Sequence, residues 1–282
     1  MHAPNAQREL VGSMIRYYRE QHDLELSDAA DILGCDRSKM SRIESGERGI
    51  RSTELRKLLS EYDVDTAAQD MLVALSGWHG TDGWWHAYQR SLPSAYLAHI
   101  IPETFASQSL VYAPSQVPDL LRTPEYDKAI TAADPSIPSN REDITLQAAS
   151  ARRKVMLHEH RARLVVVIGE AALRQQIGGT DVLKEQLTRL AELGSIDYPW
   201  ITIRVLPFGA GAHAAGGAGG FSLLQFNNIP ELAIAHLDGP SGGLCLHERA
   251  VAETYVEIFW QLYRGAMGST ESGRKIIDTA SR

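Results

Sequence analysis

Only two cysteines, Cys35 and Cys245, occur in 282 residues. That excludes a disulfide framework and a thiolate zinc site. Long hydrophobic runs are missing too. No apolar stretch exceeds five residues, as at Leu164–Ile168, against the roughly 20 that a helix needs to cross a bilayer. The N-terminus has no basic segment followed by an apolar one, so a cytoplasmic protein with no membrane partner is expected. An excess of either charge is absent from residues 1–60, which hold ten Lys/Arg and ten Asp/Glu. The whole net charge of −7 therefore falls on the rest, with 18 basic against 25 acidic residues. An acidic remainder is a poor surface for nucleic acid.

Catalytic signatures are also lacking. There is no G-x-S-x-G nucleophile elbow. His158-Glu159-His160 has i, i+2 spacing, and such side chains diverge on a helix, whereas a zinc-protease pair sits four apart. The glycine-rich segment Phe208–Phe221 lacks the Lys or Ser/Thr that a phosphate loop needs and leads into a strand. It reads as a hinge, a lid or a plain loop, with His213 exposed at its centre. The reading is no enzyme, no cofactor and no metal. Arg152, Arg153 and Lys154 fit a charged helix face better than a site for an anion or acidic partner.

What the chain does contain is a pair of short helices in Leu24–Arg51. Ala29, Ala30 and Leu33 form the inner face of the first, and Gly34 supplies the left-handed residue that ends it. Asp36 caps a second helix over Arg37–Ser45. At 100° per residue, Arg37, Ser38, Ser41, Arg42 and Ser45 share one arc, while Met40 and Ile43 lie opposite. Small serines let the backbone approach, and the arginines reach base edges, as a recognition helix in a major groove requires. Arg37, Ser38, Ser41 and Arg42 are the expected base contacts, and Lys39, Arg48 and Arg51 the phosphate contacts. Gly34–Lys57 carries seven basic and four acidic residues. Arg56 and Lys57 suit a solvated face better than a phosphate grip. Leu10, Met14 and Tyr17/Tyr18 pack a preceding helix, and Leu55, Leu58, Leu59 and Tyr62 a following one capped by Ser52. The partner expected is a double-stranded DNA operator, read by a homodimer because one short helix covers only a few base pairs.

On Arg19, Leu24, Ala30, Gly34, the run SKMSRIESG (Ser38–Gly46) and Leu58, this region resembles the XRE family, the helix-turn-helix class of phage repressors. The resemblance implies an ion pair between Arg19 and Glu44 that clamps the first helix to the recognition helix. One departure is Glu25, a carboxylate where the family usually has a Ser, Thr or Asn cap at a helix end that meets a phosphate.

Beyond it, a helix is expected over Asp65–Trp78, with Met71, Leu72, Leu75 and Trp78 in one stripe. Gly77, Gly80 and Gly83 break it before Trp84-Trp85 and Tyr88, an aromatic cluster better suited to an interdomain or subunit contact than to a ligand. Strands are expected at Ser107–Tyr112, Arg163–Ile168, Trp200–Leu206, Phe221–Phe226 and Leu232–Leu237. Helices are expected at Thr123–Ala132, Arg141–His158, Asp181–Leu193 and His247–Arg264, the last with Val251, Tyr255, Ile258 and Leu262 inward. A final helix is capped by Ser269. The fold class is an all-α helix-turn-helix domain (1–65), a helical linker (66–92) and a mixed α+β domain (93–282).

The second part resembles the antitoxin-like domain of unknown function behind the XRE head in actinobacterial regulators, including WhiJ-like ones. GWW (Gly83–Trp85), QVPDLLRTPEY (Gln116–Tyr126), EAALRQQIGG (Glu170–Gly179), VLKEQLTRL (Val182–Leu190), VLPFGAGAHA (Val205–Ala214) and FSLLQF carry the likeness. It implies either a regulator whose C-terminal domain senses a small-molecule ligand or dimerises, or an antitoxin-like module. The latter would hold a small protein encoded next to it and autoregulate its operon. Asp119 and Arg122 depart from the family's usual Gly and Gln. With His213, Trp84 and Trp85 they are the candidate ligand or partner residues. An apolar pocket is expected between Gly209–Gly220 and the Val117–Thr123 turn.

Overall fold

A computed structural model describes residues 6–76, 83–160, 162–215, 219–227, 229–239, 243–246 and 248–281. Trp78, Gly77, Gly80, Gly242, His247 and residues 216–218 of the glycine-rich segment lie outside them. The chain divides into two compact units, Met1–Phe105 with Phe226–Glu231, and Ala106–Gln225 with Leu232–Arg282.

Among the described residues of the first unit the α-helices are α1 (Ala6–Gln21), α2 (Leu26–Leu33), α3 (Arg37–Glu44), α4 (Ser52–Glu61), α5 (Thr66–Leu75) and α6 (Ser94–Glu103). Leu10, Met14, Met40, Ile43, Leu55, Leu58 and Leu59 are all buried, so the helical periodicity of the sequence is the inward face of the bundle. Gly34 has φ 64°, as the α2–α3 turn requires. Asp36 caps α3 by accepting the Lys39 N–H at 2.7 Å, and Asp65 caps α5 through Ala67 and Ala68. Ser52 is not a cap. The capping position is Arg51, whose N–H donates to the Glu54 carboxylate at 3.3 Å. The first unit extends past 65, because α5 packs on α4 and α1, and α6 on α1 and α5. Nothing in the pattern after Pro93 had marked α6.

The second unit is a mixed sheet between helices. Its strands are β1 (Gln108–Ala113), β2 (Arg163–Gly169), β3 (Ile201–Leu206), β4 (Phe221–Phe226), β5 (Ile229–Leu237) and β6 (Leu244–Leu246), in the order β3-β2-β1-β4-β5-β6. β1, β2 and β3 are parallel, and β4 runs antiparallel to β1. Its helices are α7 (Pro124–Ala133), α8 (Glu142–Lys154, continued by a π-helical turn to His160), α9 (Thr180–Leu193), α10 (Arg249–Gly265) and α11 (Ser269–Ala280). Leu164, Val166 and Ile168 join the core formed with Leu183, Leu187 and Ile276, while Val165 and Val167 join the one holding Phe259 and Leu262. Burial on both faces explains why β2 is a continuous apolar run rather than an alternating one. On α10 the fully buried residues are Ala252, Phe259 and Leu262; Val251, Tyr255 and Ile258 are only half-buried. Gly268, not Ser269, precedes α11.

The outer strand β3 is closed off by the chain that follows it. Its Val205 N–H donates to Ser272 Oγ, and Val205 O accepts the Met267 N–H, both at 2.9 Å. The Arg204 guanidinium lies 3.9 Å from the centre of the Tyr263 ring.

Glu170, buried at the end of β2, ties three segments together. Its carboxylate accepts from Lys275 Nζ at 2.9 Å, Arg174 Nη2 at 2.6 Å and the Phe208 N–H at 3.1 Å. The lysine above all holds its pKa at about 2, against an ordinary 4.5. A depressed carboxyl pKa stabilises the fold above the ordinary value and ceases to do so as pH falls through the folded one. Glu170→Gln should therefore cost about 1–3 kcal/mol at neutral pH. The difference in unfolding midpoint between parent and variant should close between pH 4.5 and 2. A gap independent of pH would show that the charge is not what matters.

Candidate nucleic-acid interface

The recognition surface follows from how α3 is held. Met40 and Ile43, 0% and 1% exposed, anchor one side to the bundle, which leaves Arg37, Ser38, Ser41, Arg42 and Ser45 exposed on the other. The structure thus brings Arg37, Ser38, Ser41 and Arg42 onto one surface. Arg42 Nε lies 3.3 Å from Ser38 O. Arg48 and Arg51 are exposed in the segment that follows. Lys39 is turned elsewhere: its Nζ pairs with Glu54 at 2.9 Å, the contact that most lowers the Glu54 pKa. Arg56 pairs with Asp70 at 2.7 Å, and Lys57 Nζ donates to Ile32 O, so both join helices of the head.

Arg19 grips Glu44 with two parallel bonds, Nε to Oε1 at 2.7 Å and Nη2 to Oε2 at 3.0 Å. Its third nitrogen, Nη1, donates to Leu24 O at 2.7 Å. One side chain thereby fixes α1, the start of α2 and the end of α3. Bonding to Glu44 raises the Arg19 pKa further. The crossing is close because Gly12 lets α1 rest on the carbonyls of Ile43 and Glu44. At Glu25 the side chain does not cap α2; the Asp28 carboxylate instead accepts the Glu25 N–H at 2.7 Å. A groove of about 600 Å³ runs beside α3, bordered by Arg16, Glu20, Asp23, Glu25, Arg37 and Ser41. Sequence reading missed Arg16, Glu20 and Asp23, because a groove wall made by three helices has no sequence spacing of its own.

In the second unit Asp119 and Arg122 meet charged groups of the same unit. Asp119 pairs with Arg152, which is 3% exposed. Asp127 accepts from Arg153 at 2.7 Å and from Arg122 at 3.3 Å, while Arg122 Nε donates to Val117 O at 2.8 Å. Arg152 and Arg153 are thus not a solvated helix face. Buried Gln186 pins the same turn by bonding both Leu121 O and the Thr123 N–H. Val117, Leu120 and Leu121 are spent in the core, so the turn offers charge rather than the apolar lining expected. His213 is half-buried, edge-on to Tyr112 with centroids 6.1 Å apart, and not exposed. Trp84 and Trp85 stand edge to face in a 3-10 turn, with centroids 6.2 Å apart. Trp85 is 4% exposed, so Trp84 is the more open of the two.

Two family models match the chain. One described as a helix-turn-helix domain covers residues 10–72, and one described as a domain of unknown function (DUF5753) covers residues 98–278. No curated protein and no solved structure matches it.

Proposed function

We propose, on the premise that the chain belongs to the DUF5753 family and carries a helix-turn-helix domain ahead of that region, that it is a non-enzymatic transcriptional regulator of the XRE kind acting in the cytoplasm. It reads its operator as a homodimer, and its C-terminal region receives a signal, either a small molecule or a protein. The observation that carries the reading is the exposed polar face of α3 over a fully buried Met40 and Ile43. Arg37, Ser38, Ser41 and Arg42 make the base contacts, and Arg48 and Arg51 hold phosphates. Lys39 joins them only by leaving Glu54.

Selection from a pool of randomised duplexes tests both parts. The parent should recover near-palindromic sites with half-sites about 34–36 Å apart. Arg42→Ala should lose roughly 1–3 kcal/mol and relax one base position. Recovery of unpaired single sites would remove the dimer, and an indifferent Arg42→Ala would remove the recognition helix.

The acidic balance outside residues 1–60, 25 against 18, favours a second reading. In it the C-terminal region holds a small protein, and DNA binding serves autoregulation. Co-expression with the product of a short adjacent reading frame should then yield a stable complex.

A further inference from the structure

The groove beside α3 has an unfavourable charge for a wall that faces DNA. Three arginines, Arg16, Arg19 and Arg37, share it with four carboxylates, Glu20, Asp23, Glu25 and Glu44. Two of the arginines are already committed, Arg16 to Glu20 and Arg19 to Glu44, each at 2.7 Å. Glu20, Asp23 and Glu25 are exposed. The start of α2 is not open to an anion either, since Glu25 just before it and Asp28 in its first turn place two carboxylates there and Asp28 occupies the Glu25 N–H. Carboxylates satisfy the positive end of a helix and oppose a phosphate there.

Arg37 and Ser41 line both this groove and the recognition face. A duplex seated on α3 therefore brings a phosphodiester strand along the acidic wall. Phosphate contacts supply most sequence-independent affinity, and base contacts supply discrimination. Resting on the DNA-binding reading above, we infer that the rim formed by Asp23 and Glu25, beside the neutralised Arg16–Glu20 pair, is a repulsive gate. It holds down binding to arbitrary DNA, so that the head settles only where α3 finds its bases. This is selectivity by disfavouring the wrong partner as well as by favouring the right one.

The test uses the full chain and a 20-base-pair duplex of random sequence, titrated at low and at physiological salt. Glu25→Gln keeps the backbone N–H that Asp28 holds, and its circular-dichroism melt should match the parent's. It should bind about two- to fivefold more tightly at low salt, an advantage that shrinks as salt rises. Asp31→Asn removes one charge from the same helix outside the groove and should bind as the parent does. Parental affinity in Glu25→Gln, or an equal gain in Asp31→Asn, overturns the gate. A parent that binds no duplex removes the DNA-binding reading and the gate with it. A parent that binds, weakens with Arg42→Ala and ignores Glu25→Gln removes the gate alone.

Discussion

Replacing Glu44 by Ala should destabilise the first unit by about 3–5 kcal/mol, because it takes from the buried Arg19 guanidinium its main counter-charge and leaves only the half-exposed Glu20 at 3.6 Å. Both side chains are largely shielded, at 10% and 7% exposure, and two of the three bonds made by Arg19 end on Glu44. The loss should show as faster amide exchange through α1, α2 and α3, a measure that isolates this unit from the other. Duplex binding should fall with it, since the same grip sets where α3 stands against α1. The paired change Arg19→Met with Glu44→Leu should recover most of the stability, since apolar side chains of similar volume can replace a buried ion pair at little net cost. Unchanged exchange in Glu44→Ala would mean that the pair is worth no more than a surface contact.

The second large effect is expected from the smallest change. A Cβ on Gly12 overlaps the carbonyl oxygen of Ile43 and comes within 2.6 Å of that of Glu44. These are backbone atoms, so no side chain can swing aside. Alanine favours the helix by up to about 1 kcal/mol over glycine, and forcing a packed contact apart costs about 1–3 kcal/mol or more. The steric cost should win in Gly12→Ala, with α3 displaced and duplex affinity reduced. Gly273 in α11 is the contrasting site, because no atom of the described residues lies within 4 Å of its added Cβ. There Ala should stabilise by about 0.5–1 kcal/mol. Unfolding midpoints that moved in the same direction for both variants would contradict the packing argument.

The head was legible because its determinants are local. Gly34, Asp36 and the alternation of Met40 and Ile43 with Arg37, Ser41 and Arg42 all lie within the ten residues Gly34–Ile43, and each acts within one or two helical turns. Five of the six strands were visible for a similar reason, their β-branched and aromatic content, whereas the three-residue β6 was not. Polar contacts between distant segments were not visible. Asp119 finds Arg152 33 residues away, and Thr123 finds Gln186 63 residues away. Spacing carries no trace of either, so buried charges passed for surface ones. Gln186 sits at 0% exposure on the inward stripe of α9, where an apolar periodicity counts it as an interruption. The pairing of Lys39 was not visible either, because its backbone lies on α3 while its flexible side chain follows Glu54, fifteen residues away. The caps at Arg51 and Gly268 were each placed one residue late, since a serine at the first helical position resembles one just before it.

The bonds from Ser272 and Met267 to Val205 have a consequence for how the protein is made. A strand emerging from the ribosome with its outer N–H and C=O groups unclaimed is a template for any neighbouring chain. Here the cover for β3 comes from a segment as much as 67 residues further along the chain. Until Met267 and Ser272 arrive, each nascent copy carries an open seam, and a product stopped before residue 267 would keep it for good. Shortened chains should then reach the cell's clearance machinery as clumps rather than as soluble fragments, while a chain that includes α11 closes its own seam.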